Sequence, residues 1–306
     1  MASSETMANP VSGAFGPPAG QPRARGETVR IVSAAELGGA ARLQGLAEQV
    51  FGAGDRPRGW FTRKLRRERV DDALSVVAVD PAHPTEDPAG WLGYVLVGVP
   101  PSLGDRARTS GTAVVSQARG RGVATELLNA ASGRCRDAGI RHLQLLAEAA
   151  VLPFYLQRGF RLVHPTMTAL SFGRATAASL TSAPAWDSPT EAQHELVAWL
   201  PEAWSGTDAE ARRGCEFEVE GRSVQAWLSR EGVAWLVQRI VASEGAPLPS
   251  IAGGLLDRLP HGAPVLLPLL NADAPSSAAL LDAGWVAAQR GALVERSLYS
   301  PPVGVG

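Results

Sequence analysis

The residues with the clearest chemistry sit at one junction. The apolar run Ala113-Val114-Val115 enters Ser116-Gln117-Ala118-Arg119-Gly120-Arg121-Gly122 and continues directly into Val123-Ala124-Thr125. A strand, a loop with two glycines and a helix start are expected in that order. The first N–H groups of a helix have no internal partner, and the helix dipole turns its positive end toward the loop. Such a junction holds anions and suits a pyrophosphate. Gly120 and Gly122 lack Cβ, so oxygen atoms can approach the amides closely. Arg119 and Arg121 add charge at the rim. The same residues also fit an ordinary glycine turn with solvated arginines, and the loop alone leaves both readings open.

Other chemistries are thinly supplied. Cys135 and Cys215 are the only cysteines. They are too few for a disulfide framework and too isolated from histidines for a structural zinc site, so no metal is expected. Both read as small buried apolar residues, in a reducing compartment. Lys64 is the only lysine and sits among Arg63, Arg66 and Arg67, which sets Schiff-base chemistry aside. Its basic stretch, Arg56–Arg69, reads as a solvated face or as an attractor for an acidic substrate or for phosphates.

The elements that position this junction come from a chain of 306 residues, a length that suggests two domains of roughly 150 residues each. Apolar residues make up 45% and charged residues 19%, as in a folded protein. Twenty-nine basic against 30 acidic side chains leave a formal charge of −1, against the basic excess of a nucleic-acid binder. No apolar run reaches about 18 residues, so no membrane span is expected. Residues 1–27 read as a flexible tail without the pattern of a secretory signal, and a cytoplasmic location is expected. A strand near Val29–Ile31 leads to Ser33, which caps a helix over 34–50 with Glu36 completing a capping box. A basic amphipathic helix over 60–70 follows. Strands are expected over 74–79, 91–97 and 109–115, then a helix over 123–137 closed by Gly139. A strand over 142–147, a short helix over 153–157 and strands over 161–163 and 168–172 complete this part. Residues 174–189 read as a linker.

After the linker the pattern partly repeats. A helix over 191–203 precedes strands over 216–219, 224–229 and 234–241. A helix over 250–259, a strand over 264–271, a helix over 274–281 and a final hairpin ending at Leu298 follow. Phe154-Tyr155-x-x-x-Gly159-Phe160 has a counterpart in Ala279-Leu280-x-x-x-Gly284-Trp285, which suggests an old duplication.

Gln117-x-x-Gly120-x-Gly122 resembles the acyl-CoA signature of the GNAT superfamily of N-acetyltransferases. Pro153-Phe154-Tyr155-Leu156-Gln157-Arg158-Gly159-Phe160 resembles the same superfamily's second motif. The resemblance covers residues 28–172. It implies a mixed α/β fold of two GNAT-like domains, each a twisted mixed sheet flanked by helices: a catalytic domain over 28–173 and a degenerate copy over 190–300, with a short tail over 301–306. It implies acetyl-CoA as co-substrate and a primary amine of a small molecule as acceptor. Backbone groups of Val114 and Val115 would bond the pantetheine amides. Gln117, Ala118, Arg119, Gly120, Arg121, Gly122, Val123, Ala124 and Thr125 would hold the pyrophosphate, with Tyr155 and Arg158 also at the cofactor. Tyr155 would protonate the departing thiolate, which a phenol can do without a shifted pKa. Many relatives carry a carboxylate on the strand before the glycine loop, and here that strand has none. Glu148 is the nearest candidate base; it equally suits a cap on the next helix, and a water relay is a third route. In the second copy, Pro247 and Pro249 offer no N–H where a phosphate loop should lie, and Leu280 stands in the place of Tyr155. That copy is expected to bury a face of the first, shape the acceptor cleft or mimic a dimer partner. Its Trp199, Trp204, Trp227 and Trp235 suit a core or a separate pocket. A monomer with an internal pseudo-dimer, or a homodimer, is expected. A non-catalytic acyl-CoA-binding or regulatory protein, and acetylation of a protein N-terminus or lysine, are the alternatives.

Overall fold

A computed structural model describes residues 29–52, 54, 58–181, 201–242 and 245–299. The first half holds β1 (Arg30–Ser33), α1 (Gln44–Phe51), α2 (Trp60–Arg67), β2 (Val76–Val79), β3 (Trp91–Gly98), β4 (Arg106–Val114), α3 (Val123–Asp137), β5 (His142–Glu148), α4 (Leu152–Leu156) and β6 (Arg161–Phe172). The second holds α5 (Pro201–Ser205), β7 (Arg212–Val219), β8 (Arg222–Glu231), β9 (Ala234–Ala242), α6 (Leu248–Leu256), β10 (Pro264–Asn271), α7 (Pro275–Asp282) and β11 (Val286–Ser297). Among the described residues no helix is long and apolar enough to cross a membrane.

Local signals act as expected at several ends. The Ser33 N–H donates to Glu36 Oε1 at 2.9 Å, and the Glu36 N–H donates to Ser33 Oγ at 3.3 Å, a reciprocal capping box. The long helix expected over 34–50 is instead two 3-10 turns, Ala35–Leu37 and Ala40–Leu43, before α1. Gly38 and Gly39 take φ of 85° and 106°, which no helix residue adopts. Most of the helix expected over 191–203 lies outside the described residues, and α5 is its described end.

The sheet is mixed, as expected, but it is one sheet rather than two. Its 11 strands run in the order β1-β2-β3-β4-β5-β11-β6-β10-β9-β8-β7. Two strand expectations are corrected with it. The pair expected over 161–163 and 168–172 is the single strand β6, and the final hairpin is the single strand β11. Pro165 looks like a break in the sequence because it has no N–H to give a ladder. Here its carbonyl accepts from Ala272 at 3.0 Å, and bulges at Val163 and Ala288 absorb the irregularity. Neither strand folds back on itself because β6 and β11 pair with each other.

The pairing is reciprocal. β11 lies antiparallel to β5 over Glu148–His142, and β6 lies antiparallel to β10. Each half's core takes in the other's strand. Ala292, Val294 and Leu298 join the first core; Met167 and Ala169 join the second. The basic helix α2 also bridges the halves. Arg66 Nε donates to the Gly206 carbonyl at 2.7 Å, Arg66 pairs with Asp208 and Arg67 with Glu231. A Cβ on Gly206 would fall 2.6 Å from Arg67 Cα, so α2 is packed tightly there rather than fully solvated. Trp204, Trp227 and Trp235 are buried, and Trp199 lies outside the described residues. Both cysteines are buried, and burial pushes their thiols up to about 12 for Cys135 and about 11 for Cys215.

At the centre of the exchange, a Cβ on Gly291 would meet the Ala147 carbonyl oxygen at 2.5 Å. Gly291→Ala is expected to cost about 1–3 kcal/mol by overpacking β5 against β11. Chemical denaturation checks this; an unchanged midpoint would show that the strands can separate to admit the methyl.

Candidate active site

The site begins with a divergence of strands. β4 and β5 pair in parallel only through Arg106–His142, Ala107–Leu143 and Arg108–Gln144. Beyond this point β4 keeps its pairing with β3, while β5 keeps its pairing with β11 to Glu148. The register of β4 on β3 shifts between Leu96–Gly111 and Val97–Thr109, so Ser110 is an extra residue. A bulge bends and twists the strand that carries it. It lies where β4 leaves β5, and a gap opens between Thr109–Val114 and the end of β5.

Below the gap a polar network fixes the paired part. Glu295 of β11 accepts from Gln144 Nε2 at 2.8 Å and from Arg106 Nε at 3.1 Å, and lies 3.2 Å from His142 Nδ1. Gln144 Oε1 accepts in turn from Arg108 Nη2 at 3.0 Å. This sets the His142 ring beside a carboxylate from the other half of the chain.

The glycine loop crosses the mouth of the gap and starts α3. Gly120 and Gly122 take φ of 75° and 83°, a left-handed backbone that a side chain would strain. Gly122 is the N-cap, with no side-chain cap. The N–H groups of Gly120, Gly122, Val123 and Ala124 donate to no backbone carbonyl among the described residues. Those of Thr125 and Glu126 both donate to the Gly122 carbonyl. No atom lies within 4 Å of a Cβ built on Gly120 or Gly122, so the space beside both glycines is open. Gln117 and Gly120 are exposed, and Ala118 is buried beneath them.

Val114 and Val115 are more occupied. The Val114 carbonyl accepts from Arg119 Nε at 3.1 Å. The Val115 N–H donates to the Leu92 carbonyl at 2.9 Å, and its carbonyl accepts from Ala118 at 3.0 Å. Each carbonyl keeps a second lone pair.

Tyr155 and Glu148 meet at the gap. Tyr155 is buried on α4, edge-on to Phe154 at 5.1 Å and to Phe160 at 5.7 Å. Burial pushes its phenol up, a hydrogen bond with Thr112 pulls it down, and the Glu148 charge pushes it up again. The hydroxyl thus lies between Thr112 of β4 and Glu148 at the end of β5. Glu148 does not cap α4. Its carbonyl, rather than its carboxylate, accepts from the Val151 N–H at 3.0 Å, and α4 has no side-chain cap. Burial raises the Glu148 carboxyl above the usual carboxylate range.

Arg158 faces α3. Its guanidinium lies 3.6 Å over the Phe154 ring, and Nε donates to Thr125 Oγ1 at 2.8 Å. The sequence reasoning missed Thr112, Glu295 and Arg296. Thr112 had a signal, as a hydroxyl in a mostly apolar strand. The other two lie on β11, far from both motifs in sequence.

Among its described residues the second half offers no equivalent cradle. A Cβ on Gly245 would sit 3.2 Å from the Arg222 guanidinium, Leu248 is buried at the start of α6, and Leu280 is fully buried.

A raised Glu148 pKa means that the folded state holds the proton more tightly than the unfolded chain. Stability therefore falls as pH climbs from the ordinary value, about 4.3, through the raised one. Glu148→Gln should raise the thermal midpoint at neutral pH, with the gain disappearing near about pH 4. A gain that grows toward acid would contradict this placement of Glu148.

Residues 92–169, from β3 into β6, match the family model described as an acetyltransferase (GNAT) domain. No curated protein sequence matches the chain. Solved structures share the fold over most of its length. A GCN5-related N-acetyltransferase from Sphaerobacter thermophilus is 14% identical, with a TM-score of 0.54 over 89% of this chain and 96% of that one. A GCN5-related N-acetyltransferase from Anabaena variabilis is 11% identical, with a TM-score of 0.55 over 89% of this chain and 73% of that one. At such identities the likeness is one of fold, and it extends through both halves. The splayed strands, the glycine loop and the tyrosine helix all fall inside or beside the segment that matches the GNAT acetyltransferase domain model.

Proposed function

We propose that the protein is an N-acetyltransferase that moves acetyl from acetyl-CoA to a primary amine of a small molecule, with the first half active. One observation carries this reading: the amides at the start of α3 and the Tyr155 hydroxyl open on the same gap between β4 and β5. The loop fits a pyrophosphate, because the N–H groups of Gly120, Gly122, Val123 and Ala124 donate to no backbone carbonyl among the described residues and the space beside both glycines is open. Arg119 and Arg121 stand at its rim. The second lone pairs of the Val114 and Val115 carbonyls continue the path toward Tyr155.

The chemistry follows from the placement. The amine nitrogen attacks the thioester carbonyl, the N–C bond forms and the C–S bond breaks. Glu148 takes the proton that the amine must lose, and a carboxylate with a raised pKa is a better base than an ordinary one. Tyr155 gives its proton to the departing thiolate and recovers one from Glu148 through solvent. The amine's proton thus ends on the thiol, and no covalent enzyme intermediate is needed. Thr112 holds the phenol toward β4. The second half, as a degenerate copy, supplies β11 and takes the place of a dimer partner. A non-catalytic acyl-CoA-binding protein is the rival, favoured by the lack of a carboxylate on β4.

Calorimetry with acetyl-CoA should give one-site binding that Gly120→Glu abolishes, since a carboxylate in the cradle repels phosphate. Tyr155→Phe should retain binding and lose about 100-fold or more in transfer to an amine acceptor. Binding without turnover across an amine panel would favour the rival; no binding would remove the enzyme reading.

A further inference from the structure

The second half reaches into the first half's machinery through one side chain. Arg296 lies on β11, and its guanidinium leaves the sheet for the helices of the site. Nη1 donates to the Arg158 carbonyl at 3.2 Å, just past α4. Nη2 donates to the Leu128 carbonyl at 3.3 Å and to Ser132 Oγ, both on α3. Its centre lies 5.0 Å over the Phe160 ring. A single cation thus touches the helix that opens at the glycine loop and the turn that closes the tyrosine helix.

The contacts continue toward the reacting groups. Arg158, whose carbonyl Arg296 holds, stacks on Phe154 and bonds Thr125 in the first turn of α3. Phe160, beneath Arg296, packs edge-on against Tyr155. Tyr155 is therefore flanked by Phe160, which Arg296 covers, and by Phe154, on which Arg158 stacks. The bonds of Arg296 go to two carbonyls, a hydroxyl and a ring face, not to a carboxylate. Burying a cation costs free energy, and neutral acceptors recover it less fully than an ion pair does. A merely space-filling role on β11 would be met by an apolar side chain. A planar fork that bonds two elements in different directions is a task for arginine.

We propose that Arg296 is a positioning residue for the acetyl transfer, supplied by the second half to set Tyr155 against the cofactor helix. This rests on the reading of Tyr155 as the acid. Because α4 is a single short helix, it has little rigidity of its own, and a displacement of about 1 Å at a reacting group costs on the order of 100-fold in rate.

The full-length protein tests this with Arg296→Met, Arg296→Lys and Tyr155→Phe. In Arg296→Met, kcat should fall by about 100-fold while the KM for acetyl-CoA stays within about threefold, because the amides of the glycine loop are untouched. Arg296→Lys should recover part of the loss, having donors but no planar fork. Ultraviolet titration of tyrosinate gives a readout apart from turnover. The difference between wild type and Tyr155→Phe isolates the Tyr155 phenol, which should titrate above the ordinary tyrosine range. Arg296→Met should move it downward as water reaches the ring. Should Arg296→Met fail to fold, Ser132→Ala removes one of the partners and should show a smaller shift in the same direction. An unshifted phenol, or a rise in KM with kcat unchanged, would overturn the positioning role. Undiminished transfer by Tyr155→Phe would instead overturn the acid, and the two failures are separate results.

Discussion

The whole molecule depends on a backbone ladder that neither half can complete alone. β11 is inserted between β5 and β6, and β6 is inserted between β11 and β10. Every buried strand edge must find hydrogen-bond partners, since an unpaired buried peptide group is costly. Without β11, β5 would present a bare edge beside the gap. With it, β5 is held along its full length to Glu148, although β4 has already turned away. The opening of the site and the joining of the halves are therefore one constraint.

That constraint explains how a gap persists in a sheet. Two parallel strands that separate must each keep a partner on the other side. β4 does so on β3, with the Ser110 bulge providing the bend. β5 does so on β11, with Glu295 fastening Arg106 and Gln144 where the strands are still together. Backbone and side chain place the fork at the same level. The register also sets Glu148, Gly291, Thr166 and Asn271 in one row across four strands. The end of β5 and the end of β10 are thus mirrored about the β11–β6 pair, with an acid on one side and an amide on the other.

Much of this was legible in the sequence where the signal is local. The strand, glycine loop and helix at 113–137 follow from apolar pattern, glycine placement and the Gly139 stop, and α3 spans Val123–Asp137 as expected. The Ser33–Glu36 box needed only adjacent residues. The expected helix over 34–50 is interrupted at Gly38-Gly39, whose positive φ overrides the apolar periodicity around them. The rest was not legible because it is not local. Nothing near Leu162 or Leu293 says that β6 and β11 choose each other over a hairpin. The arginines of α2 look solvated until Gly206, Asp208 and Glu231 are brought to them. Arg296 and the Arg158 carbonyl are 138 residues apart in the chain. Periodicity identifies a strand but does not name its neighbour.

The two halves share a strand plan and differ in what their helices offer. In the first, α3 starts at a left-handed glycine with open space beside it. In the second, α6 starts at Pro247 with buried Leu248, and Arg222 lies over Gly245. Pro247 and Pro249 offer no N–H there, and Leu280 on α7 is fully buried. The strands, by contrast, are fully used: β10 holds β6, and β11 holds β5. Selection on a sheet is mostly selection on pairing and packing, and selection on a helix start is selection on a ligand. The second half thus acts on the site through its strands, which remain tied to the partner strands they complete.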